Sequence, residues 1–338
     1  MRLNHLSRRR LLSASGALLL GASLLTACGG EDGAGTGNDS GAWTFTDDRG
    51  TKVELKQRPQ RIVAYVGAAA ALHDFGVREQ IVGVYGPAKL KDGSPDPQIG
   101  NVDPNKVTII GNAYGEFNIE KYASLRPELL IDNSYTPPDL FYVPADSKDK
   151  IFKLAPSIGI AAGAVPLNKP IERYAELAKA LGADTESAEV KAAKARFDKA
   201  TEDLKAAAKE NPGIKVLASA ATADLFYASN PAKNTDLIFF KSLGVDLITP
   251  DKVDEQGYFE NLSWENAGKY KADIVFLDAR TQSLQPKDLG GKPSWKDLPA
   301  VKAGQVVPWH AEPRFSYAGS APLLEDLAKA IRSAKKVS

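Results

Sequence analysis

Along this 338-residue chain, aromatic and arginine side chains recur just where short apolar runs end. Tyr65 closes "RIVAY", Tyr85 closes "QIVGVY", and Tyr135 follows "LLIDNS". The second half repeats the pattern with Phe226-Tyr227, with Arg280 after "IVFLDA", and with Trp309-His310 ahead of Arg314-Phe315-Ser316-Tyr317. If the runs are strands of open α/β sheets, their carboxyl ends form the crevice in which ligands bind. Rings there offer flat apolar surface, and a guanidinium offers a fixed fork of donors to anionic oxygens. Such residues hold a ligand without changing it. No G-x-S-x-G elbow, P-loop or strand-linked G-x-G-x-x-G is found, and Gly33-Ala34-Gly35 has no strand before it. Asp47-Asp48 and Asp273 with Asp278 show no second partner for acid–base work. Past the first 27 residues the only histidines are His73 and His310, too far apart in sequence to read as a zinc or manganese cluster.

These side chains need elements to carry them. "WTFTDDRGTKVEL" alternates around Asp48-Arg49-Gly50 and reads as a β-hairpin. Strands are predicted over 61–67, 80–86, 128–134, around "PSIGIAA", and over "IKVLASA", "ADIVFLDA" and "GQVVPWH". Between them come helical stretches: "AAAALHDFGV", "NIEKYASL", "SKDKIFKL", "PIERYAELAKALGA", "NTDLIFFKSLGV", "ENAGKYK" and "SAPLLEDLAKAIRSA". Alternation of this kind predicts largely parallel sheets with helices on both faces. Residues 187–210 differ, being rich in Ala, Lys and Glu, with Val190, Phe197 and Leu204 on one narrow face before Asn211-Pro212-Gly213. They predict one long helix. Two Rossmann-like α/β lobes, residues 43–186 and 212–338, are thus expected on either side of a helix at 187–211. A weak internal repeat links the lobes. Asn118-Ile119-Glu120 precedes "RPELLID" as Ser263-Trp264-Glu265 precedes "KADIVFL", and in each an acid follows the Glu by eight positions.

The beginning of the chain has another character. Residues 1–27 hold four arginines and no acid, and Leu11 to Ala27 is uncharged, too short and too rich in small residues for a comfortable membrane span. This is the pattern of an export signal. Ser7-Arg8-Arg9 resembles a twin-arginine signal, a feature that ordinary Sec signals also carry in part, so the route stays open. Leu25-Thr26-Ala27-Cys28 resembles a lipobox, in which the lone cysteine becomes a diacylated N-terminus. Residues 28–42 then read as a lipidated cysteine and flexible tether. Losing residues 1–27 moves the net charge from +1 to about −3, and nothing suggests a nucleic-acid partner. With 43% hydrophobic and 25% charged residues, the whole chain has an ordinary globular composition.

In order along the chain, the lipobox, "RIVAYVGAAAALHDFGV", "FNIEKYASLRPELLI", the lone helix and "LSWENAGKYKADIVFL" resemble a substrate-binding lipoprotein of an ABC importer. The class resembled has one rigid interlobe helix and binds ferric siderophores, haem or cobalamin. The resemblance implies a monomeric receptor without cofactor, anchored outside the cell membrane and serving a permease dimer with its ATPase. By the same resemblance Glu120 and Glu265 would dock on that permease, one from each lobe. The strand-end residues suit a ferric hydroxamate, because the siderophore itself fills iron's coordination sphere. Arg314, then Arg280, are the foremost candidates to reach its iron-binding oxygens. The loops 87–117 and 134–147 would bring Tyr114, Phe141 and Tyr142 to the site. Haem and cobalamin remain the alternatives, and an anchored extracellular enzyme is the competing class.

Overall fold

The computed structural model describes residues 41–338, so the leader, Cys28 and most of the tether lie outside the described residues. The chain opens with the predicted hairpin, β1 (Trp43–Thr46) and β2 (Lys52–Leu55), paired antiparallel. The first lobe then follows the predicted alternation except at Thr108–Gly111, a strand within the stretch 87–117 that reads as a loop. It runs β3 (Ile62–Tyr65), α1 (Val66–Asp74), β4 (Ile81–Tyr85), β5 (Thr108–Gly111), α2 (Ile119–Ser124), β6 (Leu129–Ser134), α3 (Lys148–Leu154), β7 (Ser157–Ala161) and α4 (Asn168–Ala180). Its sheet has the order β5-β4-β3-β6-β7 and is parallel throughout. All four residues of β3 are buried, as a central strand covered on both faces requires.

The long helix α5 spans Ala188–Glu210. Ser187 caps it by accepting the Val190 N–H, and Val190, Phe197, Ala200, Leu204 and Ala207 form its buried stripe. The second lobe comprises β8 (Lys215–Ala221), β9 (Leu225–Ser229), α6 (Thr235–Ser242), β10 (Asp246–Leu247), β11 (Phe259–Ser263), β12 (Ile274–Asp278), α7 (Pro293–Asp297), α8 (Pro299–Lys302), β13 (Val306–Trp309) and α9 (Tyr317–Ser333). Its sheet is mixed, in the order β11-β9-β8-β12-β13 with β10 beside β8. The expected parallel pattern fails at β9 and β11, which run antiparallel. Thr222 to Asp224 are too few residues for a parallel crossover, so the chain turns back as a hairpin.

A second departure concerns "ENAGKYK", which is not a helix. Only a single 3-10 turn forms, at Trp264–Asn266. Glu260 in β11 accepts from Lys269 Nζ (2.5 Å) and from the Tyr270 hydroxyl, which pulls the following residues back along the sheet. The internal repeat nevertheless has a structural counterpart. Glu128, just before β6, accepts the backbone N–H groups of Gln60 and Arg61 at the start of β3. Asp273, just before β12, accepts the N–H of Lys215 at the start of β8. In both lobes an acid at one strand's start pins the start of its parallel neighbour.

One buried apolar cluster runs from Trp43 to Ile331 and so crosses from lobe to lobe. Phe197 of α5 stacks on Phe239, Tyr174 stacks on Phe315, and Phe75 meets Tyr317 edge-on. A smaller cluster around Leu217, Phe226, Trp264 and Trp295 lies within the second lobe. Among the described residues, no helix is long and apolar enough to cross a membrane.

Candidate functional site

The loops after β5, β6, β9, β12 and β13 converge with the start of β11 and the loop before it on a cavity of about 330 Å³. Tyr135, Phe141 and Tyr142 face it from the first lobe, and Tyr258, Phe259 and Glu312 from the second, with Arg280 among its lining residues. Tyr114, 76% exposed, lies at the rim and leans on Phe141 and Tyr142 with ring centroids 6.4 and 5.1 Å away. Phe141 in turn packs on Tyr135 (4.7 Å), Tyr142 (4.8 Å) and Tyr65 (5.4 Å). Tyr142 is held at φ 65°, a left-handed conformation that costs a non-glycine residue about 1–2 kcal/mol. Such strain concentrates at ligand clamps.

The two lobes meet at the cleft floor. The Tyr258 hydroxyl donates to the Tyr135 carbonyl (2.8 Å) across the gap. Gly163 makes this approach possible, since a Cβ there would stand 2.3 Å from Tyr135 O and 2.5 Å from Tyr258 Oη. Glu312, in the loop after β13, accepts from the Tyr65 hydroxyl (2.6 Å) and from Gln98 Nε2 (2.7 Å), both in the first lobe. It also pairs with Arg280, which binds Asp278 through Nη2 (2.7 Å) and Nε (3.0 Å). Burial works against the Arg280 charge, yet Glu312 and Asp278 outweigh it and hold the guanidinium above its ordinary pKa. Burial, reinforced by Glu312, pushes the Tyr65, Tyr135 and Tyr142 phenols well up. Burial thus opposes phenolate formation at these tyrosines. Among the described residues, no group of three or more His, Cys, Asp and Glu could hold a metal ion. The chemistry on offer is stacking, hydrogen-bond donation and one forked cation.

The structure distributes the sequence-predicted residues unevenly. Tyr135 and Arg280 line the cleft, as do Tyr114, Phe141 and Tyr142. Tyr65 and Tyr85 are buried behind it. Tyr65 braces Phe141 and Tyr142, and the Tyr85 hydroxyl donates to Asp132 (2.6 Å). Phe226 is a correction: it lies inside β9, not at a strand end, and points into the smaller core against Trp264 and Trp295. Tyr227, on the opposite face of that strand, only backs Phe259 (5.8 Å). Trp309 is also buried, its Nε1 donating to Asp236 (2.6 Å). Tyr317 packs between Phe75 and Phe197 at the long helix.

The foremost donor candidate changes as well. Arg314 lines an adjoining cavity of about 210 Å³ with His310 and Asp326, on the far side of Arg280 and Glu312 and away from the aromatic rings. Its chain is wedged between Gly100 and Gly319, where added Cβ atoms would meet Arg314 at 2.6 and 2.5 Å. Arg280 takes its place at the cleft. Sequence reasoning missed Tyr258, Phe259 and Glu312. A signal for the first two existed in the apolar–polar alternation of "YFENLS", a strand left unassigned. Glu120 and Glu265 are both exposed, each the second residue of a short turn of helix. Glu265 is held below the usual carboxylate range by its own N–H and by Ser263.

Comparison with known proteins follows this geometry. A family model described as periplasmic binding protein matches residues 63–313. The crystal structure of DesE, a ferric-siderophore receptor protein from Streptomyces coelicolor, is 49% identical with a TM-score of 0.85, covering 88% of this chain and all of that one. The Fe(3+)-citrate-binding protein YfmC of Bacillus subtilis is 24% identical over 303 residues, 88% of either chain. The petrobactin-binding protein YclQ of Bacillus subtilis, 18% identical, covers 86% of this chain and 98% of its own at a TM-score of 0.65, a likeness of fold alone. The family match spans most of the chain and both sheets, and this chain belongs to the periplasmic binding protein family.

Proposed function

We propose that this protein is a receptor for a ferric siderophore, of hydroxamate type, which it hands to an ABC permease dimer driven by its ATPase. The observation that carries the reading is the interlobe cleft, in which Tyr135, Phe141 and Tyr142 oppose Tyr258 and Phe259 beside one forked cation, Arg280. Rings suit the carbon skeleton of a chelator, and the guanidinium suits oxygens already bound to iron. The printed names of DesE and YfmC, one a ferric-siderophore receptor and the other a ferric-citrate binder, support a chelated-iron cargo. Protonated tyrosines and the lack of a metal-ligand cluster among the described residues favour capture of a finished complex over direct ligation.

The remaining parts of the reading rest on the sequence. A signal at 1–27 and a lipidated Cys28 would place the receptor on the outer face of the cell membrane, tethered close to its permease. It would act as a monomer, as a binder and not an enzyme. Calorimetric titration tests the cargo. Ferrichrome, ferrioxamine B, ferric citrate, a ferric catecholate, haem and cobalamin are added in parallel, the siderophores also without iron. Saturation by ferric hydroxamates alone is the expected outcome. Saturation by haem or cobalamin alone would keep the receptor and replace its ligand, and hydrolysis of an added ester or glycoside would move the protein to the enzyme class.

A further inference from the structure

The charges at the cleft floor do not make an anion trap. Among the residues lining the 330 Å³ cavity, Arg280 is the single cation, and Asp278 and Glu312 already engage it. Those carboxylates are buried, their side chains 1% and 6% exposed. Asp139 adds a third carboxylate at the rim, beside the exposed Lys148. Lys89 and Lys91 line an adjoining cavity that also borders Arg280 and Glu312, but Lys91 is exposed and Lys89 Nζ is turned to Asn105 (3.0 Å). Charges exposed to water are screened by salt far more than buried ones. The floor therefore presents one guanidinium against two buried carboxylates, an excess of negative charge.

Resting on the ferric-siderophore reading, we infer that the cleft selects its cargo by charge and that Glu312 sets the selection. Neutral or cationic ferric complexes are accepted and anionic ones disfavoured. Tyr65 and Gln98 in the first lobe fix the Glu312 carboxylate, so it cannot swing away from an incoming anion. A neutral complex shares the outer edge of the Arg280 fork and leaves the pair with Glu312 whole. An anionic complex must compete with Glu312 for the same nitrogens and meet its charge at close range. A cationic group on the chelator is instead attracted to Glu312 and Asp139.

The test holds the iron core constant and varies the charge. Ferrioxamine B carries one positive charge on its terminal amine, its N-acetyl derivative is neutral, and its N-succinyl derivative carries one negative charge. Affinities of the three for the purified full chain are measured by calorimetry across a salt series. We expect affinity to fall in that order, by roughly tenfold from neutral to anionic at low salt, between the aqueous and protein-surface limits for charges a few ångströms apart. Added salt should shrink that step, and Glu312→Gln should reduce it to about threefold or less. Equal affinities in the wild type, or an undiminished step in the variant, overturn the inference. If the variant does not fold, the wild-type salt series decides, and a step that salt leaves unchanged overturns it. Absence of binding by all three would instead remove the ferric-hydroxamate reading on which it stands.

Discussion

Arg280 and Arg314 share a residue type and a neighbourhood in sequence, yet their surroundings give them different work. Arg280 lines the aromatic cleft and is positioned by two carboxylates, whereas Arg314 fills a slot between Gly100 and Gly319. Its Nη1 comes only to 3.8 Å from Asp74. Arg280→Lys keeps a charge for Asp278 and Glu312 but loses the fork, and lysine is no substitute at a forked site. A ferric hydroxamate should then bind roughly tenfold or more weakly, the lower end of a charge-assisted hydrogen bond. Arg314→Ala should change affinity by about twofold at most, because its contacts lie outside the cleft. Calorimetry on the two variants checks this, and the reverse ranking would return Arg314 to the site. The sequence made both arginines visible as strand-end residues. It could not rank them, since the ranking depends on glycines and carboxylates distant in the chain, such as Gly100 and Asp74 beside Arg314.

Elements were legible wherever one period dominated locally. Apart from β5, which falls in a stretch read as a loop, the first lobe's strands and helices and the capped helix α5 carry their own signals, so they appear close to where they were expected. Strands β9 and β11 were missed because they are short and their pairing is antiparallel within an otherwise alternating run. The same miss hid Tyr258 and Phe259 and misplaced Phe226. Where α6 meets β13, a single buried acid holds the elements together. Asp236 accepts from Trp309 Nε1 (2.6 Å) and from the Leu237 N–H (2.9 Å). Burial raises its carboxyl from 3.8 to about 7, despite those hydrogen bonds and the Arg280 charge. The unfolded chain therefore sheds this proton near pH 4, while the folded protein keeps it to about pH 7. Between those limits the native state binds more protons, so stability falls as pH rises. Asp236→Asn removes that slope. Relative to the variant, the wild type should lose up to about 4 kcal/mol between pH 4 and pH 8, measured by urea unfolding. A pH-independent difference between the two proteins would show that Asp236 is ionised in the fold.

At the scale of the whole molecule, the proposed binding and delivery fall on different surfaces. The cleft lies between the lobes, and the shared apolar core with its Phe197–Phe239 and Tyr174–Phe315 stacks resists wide separation of them. Any signal of occupancy passed to a permease is then a small change in how the two lobes are presented. Glu120 and Glu265 are placed for such reading. Each sits second in a short helical turn, exposed, one per lobe, and each is followed eight positions later by an acid that pins a strand start. That equivalence gives the two proposed docking glutamates matching places beside the acids that hold each sheet. Alanine at both positions should leave the affinity for ferric hydroxamate within about twofold, because neither side chain lines the cleft. Uptake of the iron complex by cells carrying the permease should fall by about tenfold or more, since rim charges at an interface set orientation and on-rate. The single substitutions should fall in between, as one lobe would remain docked. Both readouts are needed on the same variants. Lost affinity would place the glutamates in the ligand site, and unchanged uptake would return them to their role as ordinary acids favoured by a helix start.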